Sequence, residues 1–290
     1  MNFYMWWWSD KGNRPNFGDA INPYLVRKLG NNIKPQYVSR RPYKECLIFV
    51  LSALKKIKRP EMGRLRKLYR FNHYALCIGS ILKDCKSGQT VWGSGFMNQQ
   101  ETIKGGKILA VRGYETLNCL KQQGFQISNI VGDPAILLPL VYTPPTSAKY
   151  EYGFIPHIKD YQRFIGKYNY PIINLQTDNI ENVINQINEC KMIFSTSLHG
   201  LIISHAYGIP AIWIKAGNIG TDGFKFKDYF SSVNIPYYSP IKLEEFDLNS
   251  FHITEVNKNI ILPKNDIIKK IQTDLLSCAP FPLKSQYKVL

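Results

Sequence analysis

The segment Ser195-Thr196-Ser197-Leu198-His199-Gly200 follows one apolar run, Met192-Ile193-Phe194, and opens a second, Leu201-Ile202-Ile203. A strand that passes through hydroxyl residues directly into a helix leaves the first-turn N–H groups unpaired at the positive end of the helix dipole. Such an end accepts phosphate or carboxylate. His199 falls in that first turn, where it can donate to an oxyanion or act as an acid near neutrality. Spacing alone also permits a plainer reading, with Ser195 to Ser197 as N-caps and His199 as their buried partner. His205, six residues on, falls on the far side of the helix and reads as structural.

Arg112 ends an apolar stretch, Ile108-Leu109-Ala110-Val111, where a strand's carboxyl end would lie. Its forked guanidinium suits a carboxylate or phosphate, although an ordinary surface arginine has the same context. Asp19 and Asp133 each follow a glycine. They read either as a helix N-cap and a turn residue, or as acceptors of protons from hydroxyl groups. Gly93-Ser94-Gly95 is a short glycine-rich turn that fits neither the dinucleotide fingerprint nor the P-loop. The six cysteines form no C-x-x-C pair and no cluster with histidine, so no metal site is expected and the thiols should be reduced and buried.

These residues need a scaffold that gathers strand ends. Phe3–Trp8, Ala75–Ile78, Thr90–Trp92, Ile108–Val111 and Asn129–Val131 read as short buried strands, each followed by a loop or turn. Helices are expected from Gly18-Asp19 to Leu29, stopped by Gly30, and over Glu115–Gln123. After a Pro/Ser/Thr-rich linker, Val141–Lys149, the grammar repeats. Strands are expected at Tyr152–Ile155, Ile172–Asn174, Lys191–Phe194 and Ala211–Ile214. Helices follow at Asn179–Asn188, Ser197–Tyr207 and Asp266–Ser277. The expected fold is α/β, with two Rossmann-like doubly wound domains, 1–145 and 146–290, facing a cleft.

Charge narrows the partner. With 37 Lys+Arg against 21 Asp+Glu, the net charge is +16, which favours an anionic ligand or surface. Lys55–Arg70 concentrates the excess, with eight basic residues and one acidic, after the apolar run Cys46–Leu54. That segment reads as a solvated face or as an element that meets anionic lipid. No apolar run is long enough to span a bilayer and the N-terminus is not a signal peptide, so a cytoplasmic protein is expected, at most peripheral to the membrane. No nucleic-acid module appears, and nucleic acid is not expected as a partner.

Several blocks in order resemble the polysaccharide pyruvyltransferases. They are Asn16-Phe17-Gly18-Asp19, Gly79-Ser80, Trp92-Gly93-Ser94-Gly95, Ala110-Val111-Arg112-Gly113, Gly132-Asp133-Pro134-Ala135, Ile155-Pro156-His157, Ser195–Gly200, and Gly223-Phe224-Lys225 through Phe230. The last of these looks like the branch acting on bacterial exopolysaccharides. The resemblance implies a fold like that of GT-B glycosyltransferases, with phosphoenolpyruvate as donor substrate and no cofactor. The product would be a cyclic pyruvate ketal on a hexose of a polymeric or lipid-linked saccharide. It implies catalytic roles for His199, Arg112, Asp19 and Asp133. Substrate contacts would come from Ser195, Ser197, the Gly200 N–H, Gly93, Ser94, Gly95, His157 and Lys225. Many members carry arginine where this chain has Ser197, so another cation, Arg112, Lys215 or Lys225, is expected to compensate. A GT-B glycosyltransferase using a nucleotide sugar is the alternative. The basic stretch looks like an insertion, about residues 46–70.

Overall fold

The structure is a computed structural model that describes residues 1–8, 15–38, 51, 73–145, 147–216, 220–242 and 262–288. Residues 46–70, Leu51 apart, lie outside the described residues, so the basic stretch has no structural account here. Two parallel sheets carry the fold. The first has the order β2-β1-β3-β4-β5: β1 Asn2–Trp6, β2 Lys34–Tyr37, β3 Ala75–Leu76, β4 Thr90–Trp92 and β5 Lys107–Ala110. The second has the order β6-β7-β8-β9: β6 Tyr150–Ile155, β7 Cys190–Ser195, β8 Ala211–Lys215 and β9 Ile241–Lys242. All pairings between these strands are parallel. Parallel strands need crossovers that cover both faces, which is why β7 and β8 are almost wholly apolar.

Helix α1, Phe17–Leu29, shows how the sequence places the site. Asn16 caps it by accepting from the Gly18 N–H at 3.1 Å, and Phe17, Ile21, Leu25, Val26 and Leu29 bury one stripe. Pro23 inside the helix cannot donate to the Asp19 carbonyl. The Asn22 side chain takes that carbonyl instead, at 3.2 Å, and also pairs with both backbone groups of Ile78. The proline's lost bond thus becomes a clamp between α1 and the end of β3.

The remaining helices are α2 Tyr114–Gln122, α3 Ile180–Asn188, α4 Leu198–Ala206, α5 Phe224–Ser232 and α6 Asn265–Ser277. A 3-10 stretch, Pro134–Leu140, packs against both α4 and α6. The chain's last part returns to the first sheet. Trp92 donates its indole N–H to the Leu275 carbonyl at 3.0 Å, and Phe281 packs edge-on against Phe3 and Trp92. One apolar cluster runs from Phe3 and Ile21 to Ile184 and Leu201, so elements beside both sheets share a core. No helix among the described residues is long and apolar enough to cross a membrane.

Two expected strands are absent as strands. Val131 makes only an isolated bridge to Val111, because Gly132 turns the backbone to φ +149° and Pro134 begins the 3-10 stretch. Ile172 likewise makes one bridge, to Phe154, directly after Pro171. In the other direction, β2, β9 and α5 were not expected. The edge strand β2, Lys-Pro-Gln-Tyr, lacks any apolar pattern.

Candidate active site

The start of α4 is the centre of the site. Ser197 stands at the N-cap in extended backbone, and its side chain makes no capping bond. Ser195 is fully buried; its hydroxyl accepts from the Ser197 N–H at 3.0 Å and reaches the Ser197 carbonyl at 2.8 Å. Gly200 is required because a Cβ there would overlap the Ser195 hydroxyl. The helix-start N–H groups are therefore held in place but left uncapped by Ser197.

His199 packs against the entry of α1. A Cβ on Gly18 would overlap its imidazole ring. Its Nε2 is sealed from solvent and has no hydrogen-bond partner among the described residues. Burial, then the charges of Lys225 and Arg112, hold the imidazole down to about 3. It is neutral in this state.

Lys225 comes from the first turn of α5. It is buried, lies 5.2 Å from the Phe226 ring centroid, and forms no ion pair among the described residues. Burial and the Arg112 charge lower it to about 8. His157 follows β6, anchored by its N–H to the Thr196 hydroxyl at 2.7 Å. Burial and Lys225 lower its pKa too. His199 thus lies within electrostatic reach of Lys225 and Arg112, Lys225 of Arg112, and His157 of Lys225. The lowered values of His199, Lys225 and His157 record desolvation first and then repulsion by neighbouring cations, which a bound anion would relieve.

Arg112 differs from the other three. It is fully buried, with Nε 2.9 Å from Asp228 Oδ2, Nη1 2.6 Å from the Ser80 hydroxyl, and Nη2 on the Phe96 carbonyl. Its charge reaches the cluster, while its nitrogens are taken by the protein. Asp228 was not anticipated from sequence. It also accepts from the Thr116 N–H and hydroxyl, each at 2.7 Å, and so ties α5 to α2. Burial pushes its carboxyl up, opposed by Arg112 and the Thr116 donors. Gly113 was missed too: a Cβ there would overlap the Asp228 carbonyl, so α5 could not approach. The available signal was Asp222, whose carboxylate caps α5 through the Phe224 N–H at 2.9 Å, and the three-residue step from Lys225 to Asp228.

The other residues singled out in the sequence fall around this group. Gly93-Ser94-Gly95 runs beneath Arg112: a side chain on Gly95 would crowd the guanidinium, one on Gly93 would overlap Pro134, and the Ser94 hydroxyl is spent on the Gly79 carbonyl at 2.8 Å. Asp133 is sealed, with Oδ1 capping Ala135 at 3.0 Å and Oδ2 unpartnered; burial raises it to about 6. Asp19 accepts from the Trp8 N–H at 3.1 Å, and burial raises it to about 7. It is next in sequence to Gly18, which His199 covers. Lys215 is exposed at the end of β8 and takes no resolved part in the cluster. His205 is structural, with Nδ1 2.9 Å from the Tyr229 hydroxyl.

A parallel α/β chain that collects basic groups and an uncapped helix start at its strand ends has the chemistry that suits an anion. The family described as polysaccharide pyruvyl transferase matches residues 3–218, and the chain belongs to that family. It is accordingly a transferase that moves a pyruvyl group to polysaccharide. An uncharacterized protein of Acanthamoeba polyphaga mimivirus is 29% identical over 237 residues, covering 75% of this chain and 83% of that protein. No solved structure matches the chain.

Proposed function

We propose that the chain transfers the pyruvyl group of phosphoenolpyruvate to two hydroxyls of one hexose, forming a cyclic ketal and releasing phosphate. The observation that carries this reading is the gathering of His199 and Lys225 beside Arg112, with His157 beside Lys225, while the carboxylate partner of Arg112, Asp228, is already shared with Thr116. A donor with a phosphate and a carboxylate close together relieves that repulsion. The Ser195–Gly200 helix start supplies N–H groups to one anion, and Lys225 meets the other. Lys225 in this way supplies the cation that the family's arginine gives elsewhere and that Ser197 here does not.

Binding a dianion raises the basicity of His199, which takes up a proton. Its imidazolium then protonates the methylene carbon of the donor, leaving oxocarbenium character at the carbon bearing phosphate. One sugar hydroxyl adds there and gives its proton to Asp19, whose value near 7 suits exchange at neutral pH. The carbon–oxygen bond to phosphate breaks with its electron pair, and the departing phosphate takes the Asp19 proton. The second hydroxyl closes the ring and returns a proton to His199. Asp133, sealed below Arg112, shapes the cleft.

On this reading the two sheets are the cores of two Rossmann-like units, dividing near residue 145 and facing across the site as in GT-B enzymes. The acceptor is polymeric or lipid-linked, and the Lys55–Arg70 stretch favours an anionic membrane surface at the cytoplasmic face. The test is incubation with phosphoenolpyruvate and a panel of hexosides, read by mass spectrometry for the ketal and by phosphate release. A thermal shift from UDP-sugars with none from phosphoenolpyruvate would overturn the reading in favour of a glycosyltransferase.

A further inference from the structure

Two large apolar side chains stand exposed at the carboxyl end of β1 and β2, beside the site. Trp8 is 54% exposed and Tyr37 44%. The half-buried Trp7 packs edge-on against Tyr37, with ring centroids 4.9 Å apart at 72°. The strands are parallel with Met5 opposite Tyr37, so these rings gather at the same end of the sheet. That end is where parallel sheets bind ligands.

The rings are joined to the site through few links. The Trp8 N–H donates to the Asp19 carboxylate, and Asp19 follows Gly18, on which the His199 ring lies. A pyranose has one face of C–H bonds and a rim of hydroxyls. The first suits an indole face, and the second suits a carboxylate that exchanges protons. A hexose on these rings therefore presents its hydroxyls toward Asp19 and the donor beyond it.

We propose that Trp8, which follows the Trp7 that packs on Tyr37, is the acceptor platform: a hexopyranose stacks on it while its hydroxyls reach the Asp19 carboxyl. The assignment rests on the transferase reading above and goes beyond it by locating the acceptor.

The test uses the full chain and the variants Trp8→Ala, Trp8→Phe and Tyr37→Ala. Saturation-transfer NMR with methyl hexosides, without donor, reads acceptor contact directly. Trp8→Ala should lose that contact, and its acceptor KM should rise about tenfold. Its kcat should stay within about twofold, because a stacking contact serves ground and transition states alike. Trp8→Phe should keep most of the contact, and the phosphoenolpyruvate thermal shift should not change in either. Tyr37→Ala serves as a second variant should Trp8→Ala misfold, and should weaken the same contact by a smaller factor. Unchanged hexoside contact and unchanged acceptor KM in Trp8→Ala would overturn the proposal. So would loss of binding to anionic phosphatidylglycerol vesicles alone, which would make Trp8 a lipid contact. If the unsubstituted protein forms no ketal from phosphoenolpyruvate, the transferase reading fails, whereas the NMR comparison still decides the platform.

Discussion

Arg112 with Asp228 and Lys225 with His199 are two buried charged regions a few residues apart, built on opposite terms. Arg112 is enclosed and matched: carboxylate, hydroxyl and carbonyl oxygens take its nitrogens. Lys225 is equally buried and unmatched, with a pKa lowered to about 8, and it holds His199 down with it. A buried charge that is fully hydrogen-bonded contributes structure. One left unpaired costs stability, and a fold keeps it only where something outside the chain supplies the partner. On the proposed function, the difference separates strut from receptor among residues that the sequence presents as equivalent cations.

The largest expected effect falls on the matched side. Asp228→Ala leaves the Arg112 guanidinium buried without its carboxylate and should cost about 3–5 kcal/mol in urea unfolding. A loss below about 1 kcal/mol would mean that Arg112 can turn outward, and would return it to the list of direct donor ligands.

Lys225 should behave in the opposite sense. Lys225→Met keeps the apolar stem beside Phe226 and removes the charge. Because the folded-state pKa of Lys225 lies below its unfolded value, the penalty is present while the lysine is protonated in the unfolded chain, which covers neutral pH. The variant should therefore be more stable without donor by about 2 kcal/mol at pH 7, and bind phosphoenolpyruvate about a hundredfold more weakly. Urea unfolding and calorimetry read the two halves. A stability loss together with unchanged donor affinity would break the comparison. Calorimetry in buffers of different ionisation enthalpy sharpens it: at pH 8, donor binding should take up about half a proton as Lys225 regains its charge, in addition to the one that His199 takes up, and Lys225→Met should lose only the Lys225 share.

His199 gives a pH signature. Its folded value near 3 lies below the ordinary histidine value of 6.5, so between them the unfolded chain binds the proton and the folded chain does not. Stability from this group is full above that upper value and falls as pH drops. Asp19 and Asp133, raised to about 7 and 6, act in the reverse direction over much of that window. They are common to both proteins and cancel in a difference. Relative to the unsubstituted chain, His199→Gln should therefore gain about 2 kcal/mol on going from pH 7 to pH 5. A flat difference would mean that His199 is solvated in the folded protein.

The legibility of this arrangement in the sequence divides along the same line. Helix α1 was readable because its cap, stripe and stop are local: Asn16, the apolar spacing and Gly30 lie within one window. His199 and Lys225 drew attention because each belongs to a short block of suggestive types, and the structure buries both near Arg112. Helix α5 was not readable, because it buries Lys225, Asp228 and Ser232 along with its aromatic residues, so polar and apolar types do not sort onto an outer and an inner face. The Arg112–Asp228 pair was out of reach for a different reason. Its members are 116 residues apart, and nothing in the spacing says that one cation will be consumed by the fold while its neighbour is left open.

The smallest effect comes from a third charged pair on the same two helices. Lys227 and Glu115 join α5 to α2 at 3.1 Å, as Asp228 joins them through Thr116, but their side chains are 44% and 29% exposed. Water already solvates both groups in the unfolded chain and largely in the folded one, so little is gained by their meeting. Glu115→Gln should change urea stability by less than about 0.5 kcal/mol, and even that should fade in molar salt. Both contacts tie α5 to the start of α2 at similar distances, though with the charges reversed, and burial is the difference that sets their worth. A loss comparable with that of Asp228→Ala would mean that the α2–α5 junction is held by its outer charges, and the buried pair would no longer be the strut that aims Lys225 at the site.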